Sequence, residues 1–252
     1  MHHIDMQEPS AEFRRCWQAA GRHVQGRVQG PLHSWLKANL HPPFLEHLSF
    51  RLGNQLFFVR IEDVTQRLTV PGSRSGLLYI AEGCKGHPCI MPMRQDVDAW
   101  IPTIAGWGLL DARTSSPIDP IALVTDDRIE MSDWELQDFA VQMVRNHLEG
   151  EGRKLMSWHG NPSVDPSLWF IGDDGPEWVV VRAVRYPVRH AARPAGWNTI
   201  AQECASLGKK GHFASVGVAS ADEAFETKGV TPPVPLWRGH GMVVRFEGLD
   251  PA

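Results

Sequence analysis

Residues 154–186 constrain the fold more than any other stretch, because they read as three consecutive β-strands joined by tight turns. Residues 155–158 form a short first run, and Asn161-Pro162 then turns the chain. Residues 167–171 form a second run, and Asp173-Asp174-Gly175 has the composition of a hairpin turn. In the third run, residues 177–186, the four apolar residues from Trp178 to Val181 predict burial on both faces. Pro187 ends it, since proline has no N–H to give to a ladder.

The flanking segments read as packing partners of these strands. Ser132-Asp133-Trp134-Glu135 is a capping box, and Leu136, Phe139, Ala140, Met143, Val144 and His147 then fall on one helical stripe. Gly150 and Gly152 close that helix. After the strands, residues 197–207 read as a helix closed by Gly208, and residues 212–219 as a fourth strand. A proline-rich loop at 231–235 and a last strand at 242–247 complete the chain.

Upstream, Ser10 caps a helix over residues 9–24, with Phe13, Trp17 and Ala20 at helical spacing. Pro31 opens a second expected helix running to Leu40, which His41, Pro42 and Pro43 stop. Leu48, Phe50 and Leu52 alternate with polar residues before Gly53-Asn54, and residues 57–61 return, which is a hairpin pattern. A short helix is expected over 76–84. Two short strands are expected at 89–93 and 107–110, at a sheet edge because of the prolines around them. Thr114-Ser115-Ser116-Pro117-Ile118-Asp119-Pro120 reads as the linker, which divides the chain into domains 1–120 and 121–252.

The 252 residues can build one large or two modest cores, and 42% hydrophobic with 21% charged residues is ordinary for a globular protein. A net charge of −4 argues against wholesale wrapping of nucleic acid. No apolar run is long enough to span a bilayer, so no membrane role is expected. Four sparse cysteines fit a reducing cytoplasm better than a disulfide framework. Ten tryptophans suggest a Trp-rich core.

The order helix, three strands, helix, strand over residues ~130–220 resembles the restriction-endonuclease-like, or PD-(D/E)xK, nuclease superfamily. The expected fold class is therefore α+β, with a mixed sheet holding an αβββαβ core, preceded by a smaller helix-and-hairpin subdomain. The resemblance implies a metal-binding acid at the second strand and a (D/E)xK tripeptide on the third. Asp165 and Glu177 stand at those places, and Glu135 stands where many members carry a further acid on the helix. It implies that Asp165 and Glu177 hold Mg²⁺, which generates hydroxide and stabilises charge on the scissile phosphate. Glu135 and Asp165 also read as cap and turn residues.

The tripeptide here is Glu177-Trp178-Val179, so valine stands in place of the family's lysine, and the aspartate–proline order is reversed in Asp165-Pro166. Alternation puts Val179 on the face of Glu177 and Arg182 on the other. Lys209 or Lys210 substitutes for the lysine only by folding back. Loss of one such electrostatic group costs about 100- to 1,000-fold in rate. The expectation is a nucleic-acid-binding or processing protein of bacterial-type cytoplasm that cuts little; were it an enzyme, it would be a Mg²⁺-dependent phosphodiesterase.

Charge supports a nucleic-acid partner. From Asp126 to Glu177 there are twelve acids and four bases, whereas from Arg182 to His212 six bases face Glu203 alone. Those six, Arg182, Arg185, Arg189, Arg193, Lys209 and Lys210, are the candidate backbone contacts, or else pair with acids on a solvated face. Cys84, His87 and Cys89 are spaced to offer zinc ligands, but without a paired CxxC they read as buried residues, and zinc is not expected. Trp237-Arg238-Gly239-His240-Gly241 reads as a tight loop. The rival expectation is a non-enzymatic accessory or inhibitor protein that meets a protein partner through a Trp-rich surface.

Overall fold

The computed structural model describes residues 10–28, 35–37, 47–97, 99–208, 210–222 and 234–251. It is an α+β structure with two mixed sheets, in two compact units that divide between Arg128 and Ile129.

In the N-terminal unit, α1 (Ala11–Arg27) starts where Ser10 Oγ accepts the Phe13 N–H at 3.0 Å. It buries Phe13, Cys16, Trp17, Ala20 and Val24, one stripe at helical spacing. Then follow β1 (Trp35–Lys37), β2 (Leu48–Leu52), β3 (Gln55–Asp63), α2 (Arg74–Gly83), β4 (His87–Asp96), β5 (Ala99–Pro102), β6 (Leu110–Asp111) and α3 (Pro120–Leu123). Leu52 pairs with Gln55 across Gly53-Asn54, and Gly53 has φ +55°, which suits a two-residue hairpin. The sheet order is β1-β2-β3-β4-β5, with β6 on β4; β3 and β4 run parallel, joined through α2.

Three expectations are corrected here. Residues 35–37 are strand, where a helix over 31–40 is expected; its other positions lie outside the described residues. β4 lies inside the sheet despite Pro88 and Pro92. Their carbonyls accept the Ala112 and Thr103 N–H groups, and Pro92 falls between the pairing runs of β6 (at 89–90) and β5 (at 93–96). Proline thus occupies a position where no ladder donor is needed. Residues 114–120 are no linker but part of the N-terminal unit, with Ile118 N–H on Leu109 O and Pro117 bridged to Leu110. The Asn54 amide also holds Thr125 Oγ1 and Asp127 O, at 2.9 and 2.8 Å. The compact unit therefore runs beyond residue 120 to Arg128.

The C-terminal unit opens with α4 (Asp133–Gly150), whose capping box is complete between Ser132 and Glu135. Then come β7 (Lys154–Trp158), β8 (Leu168–Gly172), β9 (Gly175–Arg185), α5 (Trp197–Cys204), β10 (Lys210–Ser220), β11 (Met242–Phe246) and β12 (Asp250–Pro251). The sheet order is β11-β10-β9-β8-β7, with β12 on β10. β9 and β10 are parallel and the other pairs antiparallel. α4 packs Leu136, Ala140, Val144 and Leu148 onto Val179, Val181, Ala214 and Val216. The opposite face holds Trp178, Val180, Phe213 and Cys204. The apolar run of β9 is therefore buried on both sides, as parallel pairing requires.

Candidate functional site

The register of β8 and β9 decides where the candidate acids lie. Phe170 pairs with Glu177 and Leu168 with Val179, so the β8–β9 hairpin carries Asp165 past its last ladder pair to the level of Arg182. Five residues of β9 then separate the levels of Asp165 and Glu177, about 17 Å at strand rise. The two acids do not converge.

Beyond Leu168 the edge of β9 is satisfied by side chains. Ser167 Oγ accepts the Val181 N–H at 3.1 Å; Gln137, buried on α4, donates to Val181 O at 2.8 Å and accepts from Ala183 N–H at 3.1 Å. There Arg182 grips Asp165 with two nitrogens, at 2.9 and 2.5 Å. Asp165 is thus a partner of Arg182, a residue that sequence alternation had set on the wrong face to matter.

Glu177 lies at the other end of β9 and is only 4% exposed. The parallel register sets Lys210 beside Glu177 and His212 beside Val179. Lys210 Nζ donates to Glu177 Oε1 at 3.1 Å, and His212 Nε2 to Oε2 at 2.6 Å. Burial alone would raise this carboxyl; the hydrogen bonds and charges of His212 and Lys210 outweigh it and hold the group below its ordinary value. His212 Nδ1 is buried without a hydrogen-bond partner. Arg153 and Asp173 pair at the same end of the sheet. Val179, at the position of the resembled lysine, is fully buried beneath α4. His212 is the residue that reading by motif misses; its mark in the sequence is a histidine at the start of a mostly apolar strand.

Glu135 completes its cap with Ser132 and also takes a bidentate bond from Arg238, at 2.8 and 2.9 Å. Arg238 is buried, and its own N–H donates to Ile129 O. The loop at 237–241 is therefore a clasp on the start of α4. A charge-assisted pair this dry is costly to break from one side. Asp165, Glu177 and Glu135 each have a cationic partner within the fold, and Asp165 with Glu177 does not form one Mg²⁺ site. Among the described residues no three His, Cys, Asp or Glu side chains gather to hold a metal ion.

The basic strip separates into two kinds of residue. Arg182 faces Asp165, Arg185 faces Asp133 at 3.0 Å and the Met131 carbonyl, and Lys210 faces Glu177. All three have a carboxylate partner; Arg182 and Arg185 are half-buried and Lys210 is exposed. Lys209 lies outside the described residues. Arg189, His190 and Arg193 lie exposed on the 187–196 loop between β9 and α5, in a stretch with no acid from 183 to 202. Ser215 Oγ anchors this loop through the Ala191 N–H at 2.8 Å. Glu247, itself bonded to Arg245, is within electrostatic reach of His190. Arg193 donates to Pro251 O at 2.8 Å and sits over Trp197 and Phe213, 5.0 and 5.9 Å from their ring centres.

Most of the described tryptophans are core residues. Trp17, Trp100, Trp107, Trp134, Trp158 and Trp178 are buried, and Trp169, Trp197 and Trp237 are half-buried. Cys84 and Cys89 are buried; Cys89 Sγ donates to His87 O, and His87 bonds Gln55. Burial pushes the Cys89 thiol far up from its usual range, and the Cys16 thiol up to about 12.

The C-terminal unit is thus an α+β module built on a mixed sheet, with helices packed on both faces and a basic loop beside the second helix. Residues 134–252, nearly all of that unit, match a family described as a domain of unknown function, DUF8840. No curated protein and no solved structure matches the chain.

Proposed function

We propose that the C-terminal unit is a restriction-endonuclease-like domain that binds nucleic acid and does not cut it. The element order α4, β7, β8, β9, α5, β10 supports the resemblance. The observation that carries the functional reading is the 187–196 loop. It exposes Arg189, His190 and Arg193, while the candidate catalytic acids are neutralised inside the fold. Arg193 bonds a carbonyl and two rings, so its charge remains available to phosphate. The footprint is therefore narrower than the six-residue strip, because the half-buried Arg182 and Arg185 serve the fold. No helix among the described residues is long and apolar enough to cross a membrane. The described cysteines are free and buried, which suits the reducing cytoplasm in which we place the protein.

Fluorescence anisotropy with a labelled oligonucleotide tests this. Affinity is expected to fall steeply between about 50 and 200 mM salt. Replacing Arg189 and Arg193 by alanine should lower the slope of log K against log salt by roughly one to two. Replacing Arg245, which is paired with Glu247, should leave it unchanged. Failure of the wild-type protein to bind at low salt would refute the reading. Mg²⁺-dependent cleavage lost on Glu177→Ala would refute its non-cutting half.

A further inference from the structure

We infer that Arg193 is a stacking platform for an unpaired base, so that the loop selects single-stranded over duplex nucleic acid; this rests on the nucleic-acid reading above. A free arginine side chain on a loop samples many rotamers, and fixing it against a ligand costs entropy. Arg193 is already fixed. Its guanidinium lies over the Trp197 indole with Phe213 behind, and the Pro251 carbonyl takes one of its N–H groups.

Those rings are themselves held in place. Trp197 packs on Trp178 at 5.1 Å between ring centres and meets Phe213 edge-on at 6.2 Å. Trp178 donates from Nε1 to Gly208 O and lies so close over Gly211 that a Cβ there would come within 2.1 Å of the indole. The column from Trp178 through Trp197 to Arg193 thus runs from the sheet core to an exposed residue. Arg193 is itself exposed although its guanidinium carbon lies 5.0 Å from the Trp197 ring centre.

An exposed, planar, positively charged group suits the face of a base, and guanidinium planes serve as stacking surfaces in single-strand recognition. Bases in a duplex already stack on each other and cannot use it. Arg189 and His190, four and three residues before Arg193, would lie along the phosphates of the same strand.

The test compares the full-length protein and its Arg193→Lys variant on labelled oligo(dT) and on a mixed-sequence duplex of equal length. Lysine keeps the charge and removes the plane. Stacking contributes about 1–3 kcal/mol per base, so the variant should lose about fivefold or more on oligo(dT) and change little on duplex. Arg189→Lys, which keeps a phosphate contact, should change neither. Equal binding of oligo(dT) by wild type and Arg193→Lys overturns the inference, as does a wild-type preference for duplex. If both probes bind yet Arg193→Lys has no effect, only the platform fails; if neither binds at low salt, the nucleic-acid reading fails with it.

Discussion

Glu177 shows how a single carboxylate can carry the marks of catalysis and serve the fold. It is buried, hydrogen-bonded to a histidine and a lysine, and kept ionised by them. Glu177→Gln keeps the shape and removes the charge, so His212 and Lys210 lose a charged acceptor. The expected destabilisation at pH 7 is about 1–3 kcal/mol, read from urea midpoints. Its pH dependence has a definite sign. The folded-state pKa lies below the ordinary value of 4.5, so the stabilisation is complete above that value and is lost as pH falls through the folded pKa. Wild type and variant should therefore differ fully at pH 7 and converge in strong acid. A difference unchanged down to pH 2 would show that the charge contributes nothing. In the sequence Glu177 stands out as an acid at a strand start; its partners do not, because parallel pairing reaches 33 residues ahead to Lys210.

At the level of elements, periodicity was legible and register was not. The capping box at Ser132 and the two-sided apolar run of β9 leave local marks and are found in place, whereas the buried face of α4 keeps Leu136, Ala140 and Val144 of the expected stripe and replaces Phe139, Met143 and His147 with Gln137, Val141 and Leu148. The pairing of β8 with β9 depends on how many residues the turns take up, and a change of one residue moves every side chain to the other face. Reading Asp165 and Glu177 as neighbours fails for that reason: the hairpin at Gly175 is tight, and its count sends Asp165 to Arg182. The same geometry explains the valine. A lysine at position 179 would place an unpaired ammonium in the core beneath α4. Val179→Lys, which restores the tripeptide of the resembled nucleases, should cost at least about 3 kcal/mol and gain no cleavage. Thermal denaturation and a Mg²⁺ plasmid-nicking assay check the two halves. A stable Val179→Lys protein that nicks DNA would mean that the strand can turn this position to solvent.

For the whole molecule, composition left one large or two modest cores open, and the contacts divide the chain after Arg128. The proline-rich 114–120 segment misleads because its turns fold back onto β6. Side-chain bonds from Asn54 hold 125–127, and Ile129 and Met131 pair with Arg238 and Leu236. Arg128 is exposed between those anchors, so brief trypsin treatment followed by mass spectrometry should find its first cut within 129–252 or 10–127 later than the cut after Arg128. Early cleavage within 154–186 would contradict the packing described. The parallel pairing of β9 with β10 also bears on how the chain finds its structure. β7, β8 and β9 close through short turns, whereas β10 must return across the whole 186–209 connection to meet β9. Loop-closure entropy is spent on that connection before any of its ladder forms, so it is expected to limit the folding rate of this half. The arginine-bearing loop lies in that late-closing segment, and a nascent chain would present its binding residues in final form only once the β10 strand has emerged and docked.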